Sequence, residues 1–250
     1  MTIPLVSVVM PSCRPDGLGL LMRALDAQTF RDFEVVLADE VEDRVAPPSI
    51  RRVYVPPRDH YAVCHTINAG LAAARGALVV FTEDYCYPGR DWLAIHVERF
   101  RSGCLVCGGA VLFHDIPKAP DDVLEDDFAR YPARPDGRTA EHHYIGIGDF
   151  WFNNLSAPRD SLLAVGGFDE ALDELPYHGF QDTDLVARLL NKGLALVWDA
   201  RLAMPRAMPK SGKAPPRPYT PREEEAFYAR HIHEILRSGR ARALKGMAVA

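Results

Sequence analysis

Residues 78–88 read Leu78-Val79-Val80-Phe81-Thr82-Glu83-Asp84-Tyr85-Cys86-Tyr87-Pro88. A short apolar run without alternation is the pattern of a strand covered on both faces, as in a parallel sheet. It leads straight into two adjacent carboxylates. In an open α/β sheet ligands bind beyond the carboxyl ends of the strands, so Glu83 and Asp84 are aimed at a crevice rather than at the core. Hard cations choose carboxylate oxygen and often share it with substrate phosphates, which makes the pair suited to Mg²⁺ or Mn²⁺.

The surrounding segments supply the rest of such a sheet. Residues 5–10 form a buried-type strand, broken by Pro11-Ser12-Cys13-Arg14-Pro15-Asp16 before a helical spacing of Leu18, Leu21, Met22 and Leu25. A second strand over 33–38 ends at Asp39-Glu40, and a short third over 52–55 stops at Pro56-Pro57. An Ala-rich helix over 62–75 is expected to close on Gly76 as a C-terminal cap. Strands alternating with helices predict an α/β fold: a doubly wound, mostly parallel sheet with helices on both faces.

Beyond it, residues 91–102 read as a helix and 104–112 as a strand, in which Cys104-x-x-Cys107 reads as packed thiols rather than a zinc or redox half-site. A polar stretch over 115–148 is long enough to be functional or mobile. Helices are expected over 158–165 and 182–192, with a last strand over 194–198. The expected organisation is one domain over 1–204, a nucleotide-binding half (1–100) and an acceptor-binding half (101–204). A Pro-rich linker and a basic C-terminal helix and tail follow over 205–250.

The 250 residues, 48% of them hydrophobic, exclude wholesale disorder. No apolar run approaches the ~18 residues of a membrane span, and the start lacks a signal-peptide pattern, so a cytoplasmic protein is expected. Five spread cysteines fit reduced thiols. The formal charge of −5 hides an asymmetry: from Arg201 onward eleven Lys/Arg face four Asp/Glu, about +7, leaving about −12 on residues 1–200. The basic tail suits self-association or a peripheral membrane contact. Without aromatic-interleaved basic stripes, nucleic acid is not an expected partner.

Ser12, Asp39 and Glu83-Asp84 all follow strands and should meet at one sheet edge, where a nucleotide-type ligand would sit. No Gly-x-Gly-x-x-Gly and no Walker lysine loop follows the first strand, which argues against NAD and against P-loop chemistry.

A longer ordered set of segments carries a resemblance. Val6-Ser7-Val8-Val9-Met10-Pro11-Ser12 is followed by Ala27-Gln28-Thr29-Phe30, then by Val35-Val36-Leu37-Ala38-Asp39-Glu40 and Asn68-Ala69-Gly70-Leu71. Phe81-Thr82-Glu83-Asp84-Tyr85 and Pro88-Gly89-Arg90-Asp91-Trp92 come next, then Gly166-Gly167-Phe168-Asp169-Glu170 and Gly179-Phe180-Gln181-Asp182-Thr183-Asp184-Leu185. In order and spacing, over about residues 5–200, the chain resembles a family two glycosyltransferase with the GT-A fold.

That resemblance implies transfer of a sugar from a nucleoside-diphosphate donor to an acceptor hydroxyl, with inversion and a divalent metal, Mn²⁺ or Mg²⁺. The acceptor would be a glycan, a lipid-linked molecule or a small molecule. Pro11, Ser12, Asp39 and Glu83 match nucleotide-binding positions. Glu83 and Asp84 match the metal-binding motif, with Tyr85 standing where a third polar residue is usual. Asp182 matches the catalytic base, in a segment where Gln181 replaces the usual glutamate; read without the resemblance, Asp182 is a helix N-cap. Trp151, Asn153 and His143 (beside His142) are candidate acceptor contacts, and His231-x-His233 a candidate late metal ligand, whereas Trp92 reads as core. Cys13 stands where relatives carry a base-stacking tyrosine, and Met204-Pro205-Arg206 where they commonly carry a histidine that assists the metal.

Two rival classes remain at this level. A sugar nucleotidyltransferase would need a glycine-rich loop after the first strand. A non-catalytic nucleotide-sugar-binding protein would bind the donor without turning it over.

Overall fold

The computed structural model describes residues 3–103, 105–133, 150–207, 217–227 and 229. Its centre is a seven-stranded sheet in the order β3-β2-β1-β4-β7-β5-β9, formed by Val6–Ser12 (β1), Phe33–Asp39 (β2), Ile50–Tyr54 (β3), Leu78–Phe81 (β4), Val106–Gly108 (β5), Leu155–Pro158 (β7) and Leu196–Trp198 (β9). Every pairing is parallel except those of β7, which runs antiparallel to both β4 and β5.

Side-chain alternation divides the core between the two faces. Val6, Val8 and Met10 of β1 and Leu78 and Val80 of β4 pack with Leu21 and Leu25 of α1 (Leu18–Asp26) and with Trp92, Leu93 and Val97 of α3 (Trp92–Arg101). On the other face Val9, Val79 and Phe81 meet Ile67 and Leu71 of α2 (Val63–Ala73), Leu162 of α5 (Arg159–Ala164), and Leu185, Val186 and Leu189 of α6 (Gln181–Asn191). All these side chains are buried, and full burial of each Leu, Val or Ile contributes roughly 1.5–3 kcal/mol. The expected doubly wound sheet is the one observed.

Several local expectations change. Helix α2 ends at an extended Ala74, and Gly76 is no left-handed cap. An added Cβ at Gly76 would lie 2.6 Å from the backbone of Val6 and Ser7, so glycine is needed there for close contact with β1. The strand expected over 104–112 divides at Gly109-Ala110 into β5 and Val111–His114 (β6). The polar stretch holds a short helix, Glu125–Arg130 (α4), in its described part. Strand β7 carried no sequence signal, because Leu155-Ser156-Ala157-Pro158 is short and its apolar residues are interrupted by Ser156 and ended by Pro158.

The chain also stays ordered past residue 204. Met204–Ala207 (β10) pairs in parallel with β6, so the expected domain boundary falls inside a strand. Arg217–Pro218 (β11) pairs with Tyr177–His178 (β8). Residues 221–227 then begin a helix, and Phe227 and Tyr219 pack on Phe180, with ring centroids at 4.1 and 4.3 Å. His142, His143, His231, His233 and Cys104 lie outside the described residues.

Candidate active site at the carboxyl edge of the sheet

The register places Ser12 beside Asp39, and Thr82 continues β4 by donating its N–H to Val9 O at 3.1 Å. The polar ends of β1, β2 and β4 therefore share one edge, as expected. A cleft of about 420 Å³, part of it open solvent, lies there. Pro11, Ser12, Cys13 and Arg14 form its floor, Glu40 and Glu83 contribute carboxylates, and Tyr61, Ala62, Val63 and Thr66 at the start of α2 form a wall. Pro11 is tolerated in a central strand because β4 stops pairing with β1 at Val9, two residues earlier.

Glu83 and Asp84 are both held by arginines. Arg206, delivered by β10, donates to Glu83 Oε2 from Nε at 2.8 Å and from Nη2 at 2.5 Å. Arg14 Nη1 donates to Asp84 Oδ1 at 2.9 Å, and the Ser12 hydroxyl donates to Oδ2 at 2.7 Å. Burial alone would raise the pKa of Glu83, but Arg206 and Arg14, with the Asn153 amide, hold it below the ordinary value. Asp84 is raised to about 6, because burial outweighs Arg14 and Ser12.

Tyr85 does not reach the edge through its hydroxyl; its ring lies under Arg14, with the guanidinium carbon 5.2 Å from the ring centroid. Its backbone is left-handed, with φ 89°, and its ring is fully buried beneath Gly17. Its hydroxyl donates to Asp16 Oδ1 at 2.6 Å. The conformation is costly for a non-glycine residue.

Asp39 is likewise engaged. It accepts from Arg44 Nε at 3.0 Å, from Arg52 Nε at 2.6 Å and from the Val41 N–H at 3.1 Å. Arg44 Nη2 also donates to Ser12 Oγ at 3.0 Å. One network thus runs from Arg52 through Asp39, Arg44, Ser12 and Asp84 to Arg14.

Asp182 enters from the opposite side. Helix α6 starts at Gln181 after a left-handed Phe180, so Asp182 lies inside the first turn and is not the N-cap. Its carboxylate receives the Phe152 N–H, while Oδ1 is buried without a hydrogen-bond partner. Burial, and then the nearby charge of Glu83, push its pKa up to about 7 against the single Phe152 contact. The short helical turn Phe152–Asn154 bridges the two acids, because the Asn153 amide reaches Glu83 while Asn153 Oδ1 is buried and unpartnered.

The structure therefore brings Ser12, Glu83, Asp84, Asp182 and Asn153 into one neighbourhood. Trp151 packs against Phe113 at 5.3 Å, and Trp92 is core, its indole donating to Asn154 Oδ1 at 2.9 Å. Arg14, Arg44, Arg52 and Arg206 were not anticipated. The only departure from expectation that touches one of them is Met204-Pro205-Arg206, which stands in place of a histidine.

No protein-family model and no curated protein matches the sequence. Among solved structures, two similar ones are S. aureus TarS residues 1–349 and the same protein in complex with UDP. Each is 13% identical to this chain, with TM-scores of 0.56 and 0.58. This chain has the GT-A fold. The match covers 92% of this chain and 65% of the solved chains, so it spans about two-thirds of their length.

A GT-A fold of the expected family implies a divalent ion at Glu83 and Asp84, and the residues present do not fit one. Each carboxylate already accepts from an arginine, and among the described residues no three His, Cys, Asp or Glu side chains converge as a metal site. A bound dication would have to compete with both guanidiniums for the carboxylate oxygens they already occupy and would lie beside two fixed positive charges.

Proposed function

We propose that this protein transfers a glycosyl group from a nucleoside-diphosphate donor to an acceptor hydroxyl, with inversion at the anomeric carbon. One observation carries the reading: Asp182, half-buried, keeps one carboxylate oxygen buried and unpartnered and has its pKa raised to about 7, within the electrostatic reach of Glu83, which lines the cleft. A general base works best when its pKa lies near the working pH. An unpartnered buried acceptor calls for a donor, and an acceptor hydroxyl is one. Asn153 Oδ1 is a second acceptor of the same kind in the same neighbourhood.

In this reading the nucleotide lies along Pro11, Ser12 and Cys13, with Glu40 and Thr66 opposite. Asp182 takes the hydroxyl proton as the acceptor oxygen bonds to the anomeric carbon. The bond from that carbon to the diphosphate oxygen breaks at the same time, and its electron pair leaves with the nucleoside diphosphate. In-line attack from the opposite face gives inversion. The decisive experiment is Asp182→Asn, which should lower transfer by the ~10²–10⁴-fold typical of a lost general base while donor binding stays within twofold. Unchanged turnover would remove Asp182 from the mechanism.

A further inference from the structure

We propose that Arg14, anchored on Asp84, takes the place of a divalent metal ion as the cation that holds the donor's diphosphate, with Arg206 positioning Glu83 beside it. The inference rests on the glycosyl-transfer reading above and extends it to the leaving group.

Three observations point this way. Arg14 lines the cleft together with Ser12, Cys13 and Glu83. Its guanidinium is fixed from two sides, by Asp84 at 2.9 Å and by the Tyr85 ring at 5.2 Å from its centre. Arg206 is fixed in the same manner, by Glu83 and by the Phe113 ring at 5.4 Å, and by the bridge from Cys86 to its own backbone. The two acids that would be metal ligands thus orient two permanent cations.

The exchange is chemically sound. A guanidinium stays charged at any working pH and presents its donors as a planar fork that matches phosphate oxygens. A leaving diphosphate needs preorganised positive charge, which a fixed arginine supplies as a bound dication does. The left-handed Tyr85 also falls into place. Its unusual backbone carries the ring under the β1–α1 loop, where it forms the platform beneath Arg14.

The test is a calorimetric titration of the full chain with UDP, GDP, dTDP, CDP and ADP, each in excess EDTA and again with Mn²⁺. Mn²⁺ binding to the protein alone is followed by electron paramagnetic resonance. The wild type should bind its nucleotide equally, within twofold, in both conditions, and should take up no Mn²⁺ at micromolar concentrations. Arg14→Gln should weaken the diphosphate at least tenfold in EDTA and leave the affinity for the parent nucleoside unchanged, and Arg14→Lys should fall between. A merely structural role would change both ligands alike.

A tenfold or greater gain with Mn²⁺, or Mn²⁺ uptake abolished by Asp84→Asn, would overturn the proposal and leave the glycosyl-transfer reading standing. Binding of none of the five nucleotides in either condition would overturn both. If Arg14→Gln does not fold, the wild-type comparison in EDTA and Mn²⁺ decides alone.

Discussion

Replacing Asp182 by Asn should make the protein inactive and, above neutral pH, more stable. The carboxyl group is raised from 3.8 to about 7 in the fold, chiefly by burial. At any pH between those values the folded state keeps a proton that the unfolded chain has released, so stability is lost as pH rises through the window. At 1.36 kcal/mol per unit the full loss is roughly 4 kcal/mol by pH 8, of which about 1.7 has already occurred at pH 5. The amide carries no charge, and its oxygen can still accept the Phe152 N–H. Its NH₂ group, however, lies where Oδ1 is unpartnered, which costs about 1–3 kcal/mol at every pH.

The net expectation for Asp182→Asn is near parity with wild type at pH 5 and a gain of about 1–3 kcal/mol at pH 8. Urea unfolding of both proteins at the two pH values measures it, and the subtraction cancels Asp84, whose raised pKa has the same sign and is present in both. A wild-type-minus-variant difference that does not change by roughly 3 kcal/mol between pH 5 and 8 would refute the raised pKa, and with it the poised base. Stability stored against function in this way is common at active sites.

Three other perturbations probe the surroundings. His96 is buried, bonded through Nδ1 to Ser156, and held by burial at a pKa of about 3; it stays neutral in the fold while the unfolded chain protonates below 6.5. Stability should therefore fall with acidification from pH 6.5, and His96→Gln should flatten that limb by about 1 kcal/mol per pH unit in urea titrations; an unchanged limb would contradict it. Tyr85→Phe removes only the hydroxyl bonded to Asp16 and should cost about 0.5–1.5 kcal/mol by thermal unfolding, with nucleotide affinity unchanged; altered affinity would place the phenol in the binding site. Gly76→Ala forces a methyl group against the β1 backbone and should destabilise by about 1–3 kcal/mol, whereas a neutral effect would show that the loop after α2 can move away.

The sheet was legible because its central strands are unbroken apolar runs and its helices repeat at 3.6 residues, as Leu18, Leu21, Met22 and Leu25 do. Strand β7 was not, since its membership depends on partners: Ser156 is buried with its hydroxyl satisfied by His96, 60 residues away, a fact that no local pattern encodes. The acids of the site were readable from where strands stop. Their partners were not, because Arg14 pairs with Asp84 across 70 residues and Arg206 with Glu83 across 123.

That distance also explains why the carboxylates alone mislead. Two acids at a strand end look like a dication site only while the cations that meet them are unknown. Arg206 reaches Glu83 because the chain, after Trp198-Asp199, turns through a short helical segment capped by Asp199 and runs alongside β6 as β10. Asp199 accepts from Arg201 and Arg99, which hold it well below the usual carboxylate range despite its burial and tie that turn to α3. The expected end of the domain at residue 204 lies two residues before the arginine that completes the edge. The strand at the expected start of a linker therefore supplies the cation that holds Glu83, and a chain cut at residue 204 would leave Glu83 without Arg206.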